Sequence, residues 1–117
     1  MMMELSVEQI QDGIKRIGLK GRMDIEGTES IDLRLAVETA AEKAFVVIDL
    51  VQVDFLASVG IGVLVRSAKA LRKRGGDVVL VSTVPIVNMV LERTGIPDII
   101  RVFGDLQSAC QGLMTSL

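Results

Sequence analysis

The residue best placed for chemistry is Ser58, inside the run Val53-Asp54-Phe55-Leu56-Ala57-Ser58-Val59-Gly60-Ile61-Gly62-Val63-Leu64. Apolar, β-branched sequence precedes it and a helical pattern follows, so the serine falls at a strand-to-helix turn. There a hydroxyl can accept a hydrogen bond from a free amide of the first helical turn, which makes a plain N-cap the simplest local reading. As a nucleophile of the chain's own it lacks a base. Histidine is absent, and with it go the usual activator of a Ser or Cys nucleophile and the commonest zinc ligand.

The other reactive groups are sparse. Asp24 and Asp54 can flank one mouth of a sheet, with turn or helix-entry duty as the plainer role for Asp24. Asp49 sits within a β-branched strand, where it can bond nearby loop amides. Three aspartates without histidine are a poor transition-metal set, and no metal site is expected. Gly60-Ile61-Gly62 lacks the third glycine of a dinucleotide loop, Val65 standing at its place, and no Lys-Ser or Lys-Thr pair follows. These glycines read instead as a close approach of helix to sheet. The single cysteine, Cys110, cannot close an internal disulfide; it lies on an apolar helical stripe and reads as a buried structural thiol in a reducing compartment.

Positioning these groups requires a regular alternation of elements. Segments near 4–10 and 14–20, separated by Asp12-Gly13, predict an opening β-hairpin. Leu33, Ala36, Val37, Ala40 and Ala44 recur at helical spacing, predicting a first helix with that stripe inward, capped by Thr28 or Ser30. Phe45 to Leu50 is short, continuous and β-branched, as in a strand covered on both faces. The loop after it leads through Asp54 to Ser58. Ile61, Leu64, Val65, Ala68 and Leu71 predict a second helix that Gly75-Gly76 stops. Its Arg66, Lys69 and Lys73 form a basic stripe, read as a solvated face with an acidic partner as the alternative.

Asp77 to Val81 predicts another buried strand. A helix follows from Pro85 to Arg93 with Val87, Val90 and Leu91 inward, Met89 beside them being a candidate partner contact. A short strand near 99–102 and a last helix carrying Leu106, Ala109, Cys110, Leu113 and Leu117 complete the pattern. The order β-β-α-β-α-β-α-β-α implies an α/β fold with a mainly parallel mixed sheet, antiparallel only at the opening hairpin. Loops at the carboxyl ends of its strands are the expected functional ones.

With 117 residues, half of them apolar and 24% charged, the chain suits one compact domain. Fifteen acidic residues against 13 basic give a formal charge of −2, so no broad cationic field draws it to nucleic acid. Three Phe with no Trp or Tyr offer no surface for stacking bases. The longest apolar stretch, 46–65, contains Asp49 and Asp54, each costing about 3 kcal/mol at a bilayer centre. Met1 to Met3 run straight into Glu4 without the pattern of a secretory signal. A cytoplasmic protein without membrane insertion is expected.

The chain as a whole resembles the STAS domain, and in length it is similar to the anti-sigma-factor antagonists (anti-anti-sigma factors) of that family. The likeness rests on Leu19-Lys20-Gly21-Arg22-Met23-Asp24, on the strand Phe45 to Leu50, and on Phe55 to Leu64, in order and at matching spacing. It implies a single STAS domain over 1–117 that binds a protein partner, an anti-sigma factor doubling as a serine kinase, with Ser58 as the residue that partner phosphorylates. ATP then belongs to the partner, and this chain has no catalysis and no cofactor of its own.

The resemblance also places Asp24, Asp54, Ala57, Ser58, Val59 and Gly60 at the partner surface of a monomer or weak dimer. Two positions depart from the family pattern: Ala57 stands where Asp is usual and Val59 where Ser or Thr is usual. The rival expectation is a non-switching STAS subunit of a membrane transporter or larger signalling complex. A small-ligand sensor has no supporting motif beyond the fold.

Overall fold

A computed structural model of the chain describes residues 2–11 and 13–115. Two strands, β1 (Glu4–Gln11) and β2 (Ile14–Met23), form the antiparallel hairpin, and α1 (Ile25–Glu38), β3 (Phe45–Leu56), α2 (Ser58–Lys73), β4 (Asp77–Val81), α3 (Pro85–Arg93), β5 (Val102–Phe103) and α4 (Leu106–Met114) follow. The five strands lie in the order β1-β2-β3-β4-β5, and every pairing after the hairpin is parallel. The expected α/β class and mixed sheet are observed. Within the hairpin, Gly13 turns at φ 80°, and Asp12 lies outside the described residues, as does Leu117.

The helices divide between the two faces of the sheet. Ile31 and Leu35 of α1, Leu64, Ala68 and Leu71 of α2, and Val87 and Leu91 of α3 pack on Ile17, Leu19, Ile48, Leu50 and Leu80. On the other face, Ala109, Cys110 and Leu113 of α4 cover Ile14, Val47, Val79 and Val81. Central β3 is therefore apolar on both sides at Val46, Val47 and Ile48, which explains its continuous β-branched run.

Four expectations need correction. Helix α1 begins three residues before Thr28 and is capped by Asp24, whose Oδ1 accepts from the Gly27 amide at 2.8 Å. Its inward residues are Thr28, Ile31 and Leu35, while Leu33 (78% exposed) and Val37 (64%) face solvent. Strand β3 does not end at Leu50 but runs to Leu56, because β2 continues to pair with it beyond the reach of β4. At the tail, a 3-10 turn (Ile96–Asp98) precedes a two-residue β5 that starts at Val102. Among the described residues, no helix is long and apolar enough to cross a membrane.

Candidate functional site

Parallel pairing of β2 with β3 reaches Met23 opposite Leu56. Each strand passes directly into a helix after that pair, so two helix entries sit side by side at the carboxyl edge of the sheet. Asp24 is the N-cap of one and Ala57 the N-cap of the other. They are tied together by the Ala57 amide, which donates to the Met23 carbonyl at 3.0 Å.

Ser58 is the first residue within α2, not its cap. The extended backbone of Ala57 (φ −98°, ψ 169°) takes the cap position, its carbonyl accepting from Gly60 and Ile61 at 3.0 and 3.2 Å, and no side chain caps the helix. The N-cap reading of Ser58 is thereby corrected: its hydroxyl is exposed and has no structural duty at the cap. The Ser58 and Val59 amides belong to the first turn, whose N–H groups have no carbonyl within the helix to bond. An anion at this hydroxyl meets the positive end of a 16-residue helix.

The remaining residues divide into rim and support. Asp24 anchors the rim: the Gly27 amide, assisted by Arg22, holds its carboxyl below the ordinary value of 3.8. Arg22 Nε donates to Asp24 Oδ2 at 3.2 Å, and the same guanidinium lies over the Phe55 ring, 3.8 Å from its centre. Asp54 is exposed and belongs to β3 itself, at the point where the register slips between Gly21 opposite Val53 and Arg22 opposite Phe55. Val59 is half-buried. Gly60 is buried, and a side chain there would come within 2.8 Å of Leu56 and 2.9 Å of Met23, so it sets how closely α2 descends onto the two strand ends. Gly62 has open space around it and makes no close approach, contrary to expectation.

Other candidates lie elsewhere. Asp49 accepts from Arg16 Nε at 3.0 Å and from the Val51 amide at 2.9 Å, a cross-strand support on the sheet. Arg66, Lys69 and Lys73 are all exposed, and Arg66 is paired with Asp32 of α1. Met89 is exposed on α3 beside Ile86. Cys110 is buried, and that burial raises its thiol pKa. No group of three or more His, Cys, Asp or Glu among the described residues can hold a metal ion. The Arg22–Phe55 stack had no sequence signal, since only the slipped register brings position 22 opposite position 55.

A five-stranded sheet, antiparallel at β1–β2 and parallel elsewhere, with four helices packed on it is the arrangement of STAS structures. The chain belongs to that family, whose pattern matches residues 7–109. It is 30% identical over 115 residues, 98% of each chain, to BtrV of Bordetella bronchiseptica (strain ATCC BAA-588 / NCTC 13252 / RB50), a protein named as an anti-sigma factor antagonist. Among solved structures, an anti-sigma factor antagonist from Mycobacterium paratuberculosis superposes with a TM-score of 0.87 at 24% identity, covering 96% of this chain and 94% of that one. The antagonist SpoIIAA, a Bacillus cell fate determinant, shares the fold at 17% identity. Its unphosphorylated form gives a TM-score of 0.77, covering 96% of this chain and 97% of that one. Its phosphorylated form gives 0.66, covering 92% and 98%.

Proposed function

We propose that this chain is an anti-sigma-factor antagonist of the cytoplasm that binds an anti-sigma factor with serine-kinase activity and is released when Ser58 is phosphorylated. The observation that carries the reading is the exposed Ser58 hydroxyl at the start of α2, free of capping duty because the Ala57 backbone holds that position. The names of the relatives and the existence of SpoIIAA in two phosphorylation states support it. Asp24, Asp54, Ala57, Ser58 and Val59 form the surface offered to the partner, and buried Gly60 sets the height of the helix that carries it.

In the transfer, the Ser58 oxygen attacks the γ-phosphorus of the partner's ATP, the bond to the β-bridging oxygen breaks, ADP leaves and the serine proton passes to a base of the kinase. This chain contributes the nucleophile and the amides of the α2 entry; the base, the metal ion and the nucleotide belong to the partner. One observation favours a second reading. Ala57 places no carboxylate beside the acceptor, as suits a STAS subunit that binds without switching. Incubation with the partner kinase and ATP, followed by mass-spectrometric mapping, separates the two: one phosphate on Ser58, absent from Ser58→Ala, is expected. Phosphate missing from Ser58 in the parent would leave the non-switching reading.

A further inference from the structure

Helix α1 carries two apolar faces, and the domain uses only one. Ile31 and Leu35 point into the core, while Leu33 and Val37, one turn apart, are exposed together with Ala36. A lone exposed leucine is ordinary and calls for no partner. These residues, however, flank a groove. Helices α1 and α2 pack against each other, and a cavity of about 200 Å³ between them is lined by Asp32, Ala36 and Thr39 of α1 and by Ser67, Ala70 and Arg74 of α2. Thr39 and Ser67 are buried at its floor, and side chains as small as these let another backbone approach closely.

The two walls differ in chemistry. Helix α2 contains no acidic residue, and Arg66, Lys69 and Lys73 are exposed along one of its faces at helical spacing. Arg66 reaches across to Asp32, whereas Lys69 and Lys73 have no ion-pair partner among the described residues. The other acidic residues of α1 are Glu26 and Glu29 near its start and Glu38, which pairs with Lys15. We propose that this groove is a second protein-binding surface and that its occupant is an amphipathic helix with an apolar stripe and acidic flanks, laid along α1 and α2. The stripe rests on Leu33, Ala36 and Val37, and the carboxylates face Lys69 and Lys73. A concave groove suits a helix better than a flat anionic bilayer, which Asp32 and Glu29 would repel. At 1.5 Å per residue, Lys69 and Lys73 lie roughly 15–25 Å along α2 from Ser58, so the groove is separate from the Ser58 surface.

The probe is a fluorescein-labelled synthetic helix of about four turns, with leucine along one face and glutamate on both flanks. Its controls are the same residues scrambled and a version with lysine for glutamate. Anisotropy with the full chain should show saturable binding of the first peptide, at least about tenfold tighter than either control. Raising salt from about 50 to about 300 mM should weaken it at least about threefold, since exposed charges carry part of the contact. The double variants Leu33→Ser with Val37→Ser and Lys69→Glu with Lys73→Glu should each weaken the peptide at least about tenfold. Both should melt like the parent, because these side chains are exposed in the free chain. The proposal is overturned if the peptide does not saturate, if the scrambled control binds as well, or if both folded double variants bind like the parent. Flotation with phosphatidylglycerol vesicles in place of peptide binding would assign the cations to a membrane, and self-association lost in the Leu33 double variant would assign the groove to a second copy; either overturns it. Ser58→Asp should bind the peptide like the parent, which keeps this test apart from that of the switch.

Discussion

At the scale of single residues, the two neighbouring helix entries form a natural comparison. Asp24 caps α1 through its carboxylate, whereas Ala57 presents a similar extended backbone with no side-chain oxygen to offer the first-turn amides. Ala57→Asp should therefore stabilise the domain by about 0.5–2 kcal/mol, the usual worth of a side-chain cap, seen as a rise of a few degrees in melting temperature. No gain would mean that the new carboxylate cannot turn back onto α2. Asp24 gives a pH prediction of definite sign. Its carboxyl titrates below 3.8 in the folded chain because it accepts the Gly27 amide. The stability it contributes is complete above the ordinary carboxylate pKa and is lost as the pH falls through the lowered folded value. Asp24→Asn, which keeps a capping oxygen but does not titrate, should flatten the fall in melting temperature below about pH 4. Asp105, held low by Ser108 at the start of α4, leaves part of the slope in place.

At the scale of elements, the sequence was legible wherever apolar spacing had one interpretation. Strand β4 and helix α3 fall at their expected bounds, since each is a short apolar pattern closed by glycine or proline. Helix α1 offered two stripes. Leu33, Ala36, Val37 and Ala40 have helical spacing, but the buried face is Thr28, Ile31, Leu35 and Thr39, whose threonines disguise it. The inner Thr39 hydroxyl is satisfied by the Leu35 carbonyl at 2.9 Å, a bond that a one-dimensional pattern does not reveal. The full length of β3 is hidden in its sequence because the register slips near Gln52 and Asp54 break its alternation, and a bulge shows only once its partner strand is known. The same element scale separates two glycines that look alike in sequence. Gly60→Ala should destabilise by about 1–3 kcal/mol through overpacking against Leu56 and Met23. Gly62→Ala, in open space on the same helix, should stabilise by about 0.5–1 kcal/mol. Chemical denaturation of both variants measures the difference, and equal effects would show that α2 does not rest on the strand ends through Gly60.

For the whole molecule, the question is what a phosphate at position 58 disturbs. It adds a charge of about −1.5 to −2 to a chain whose formal net charge is −2, concentrated at one point of the carboxyl edge. Within the chain that point is the positive end of α2, where a negative group is favourable by about 0.3–1 kcal/mol, so the fold has no reason to yield. Against a partner surface fitted to a neutral hydroxyl the same charge must be desolvated or repelled, and about 1.4 kcal/mol is already tenfold in affinity. On the proposed reading, binding should therefore fail long before folding does. Ser58→Asp should bind the anti-sigma factor at least about tenfold more weakly than the parent while melting within about 2 °C of it. Ser58→Ala should bind like the parent and accept no phosphate. Calorimetric titration and thermal denaturation of the same preparations keep the two effects apart. An Asp variant that holds the partner as tightly as the parent would remove the switch and leave a binding module, whereas one that melts markedly lower would mean that the α2 entry does not tolerate charge as its geometry implies.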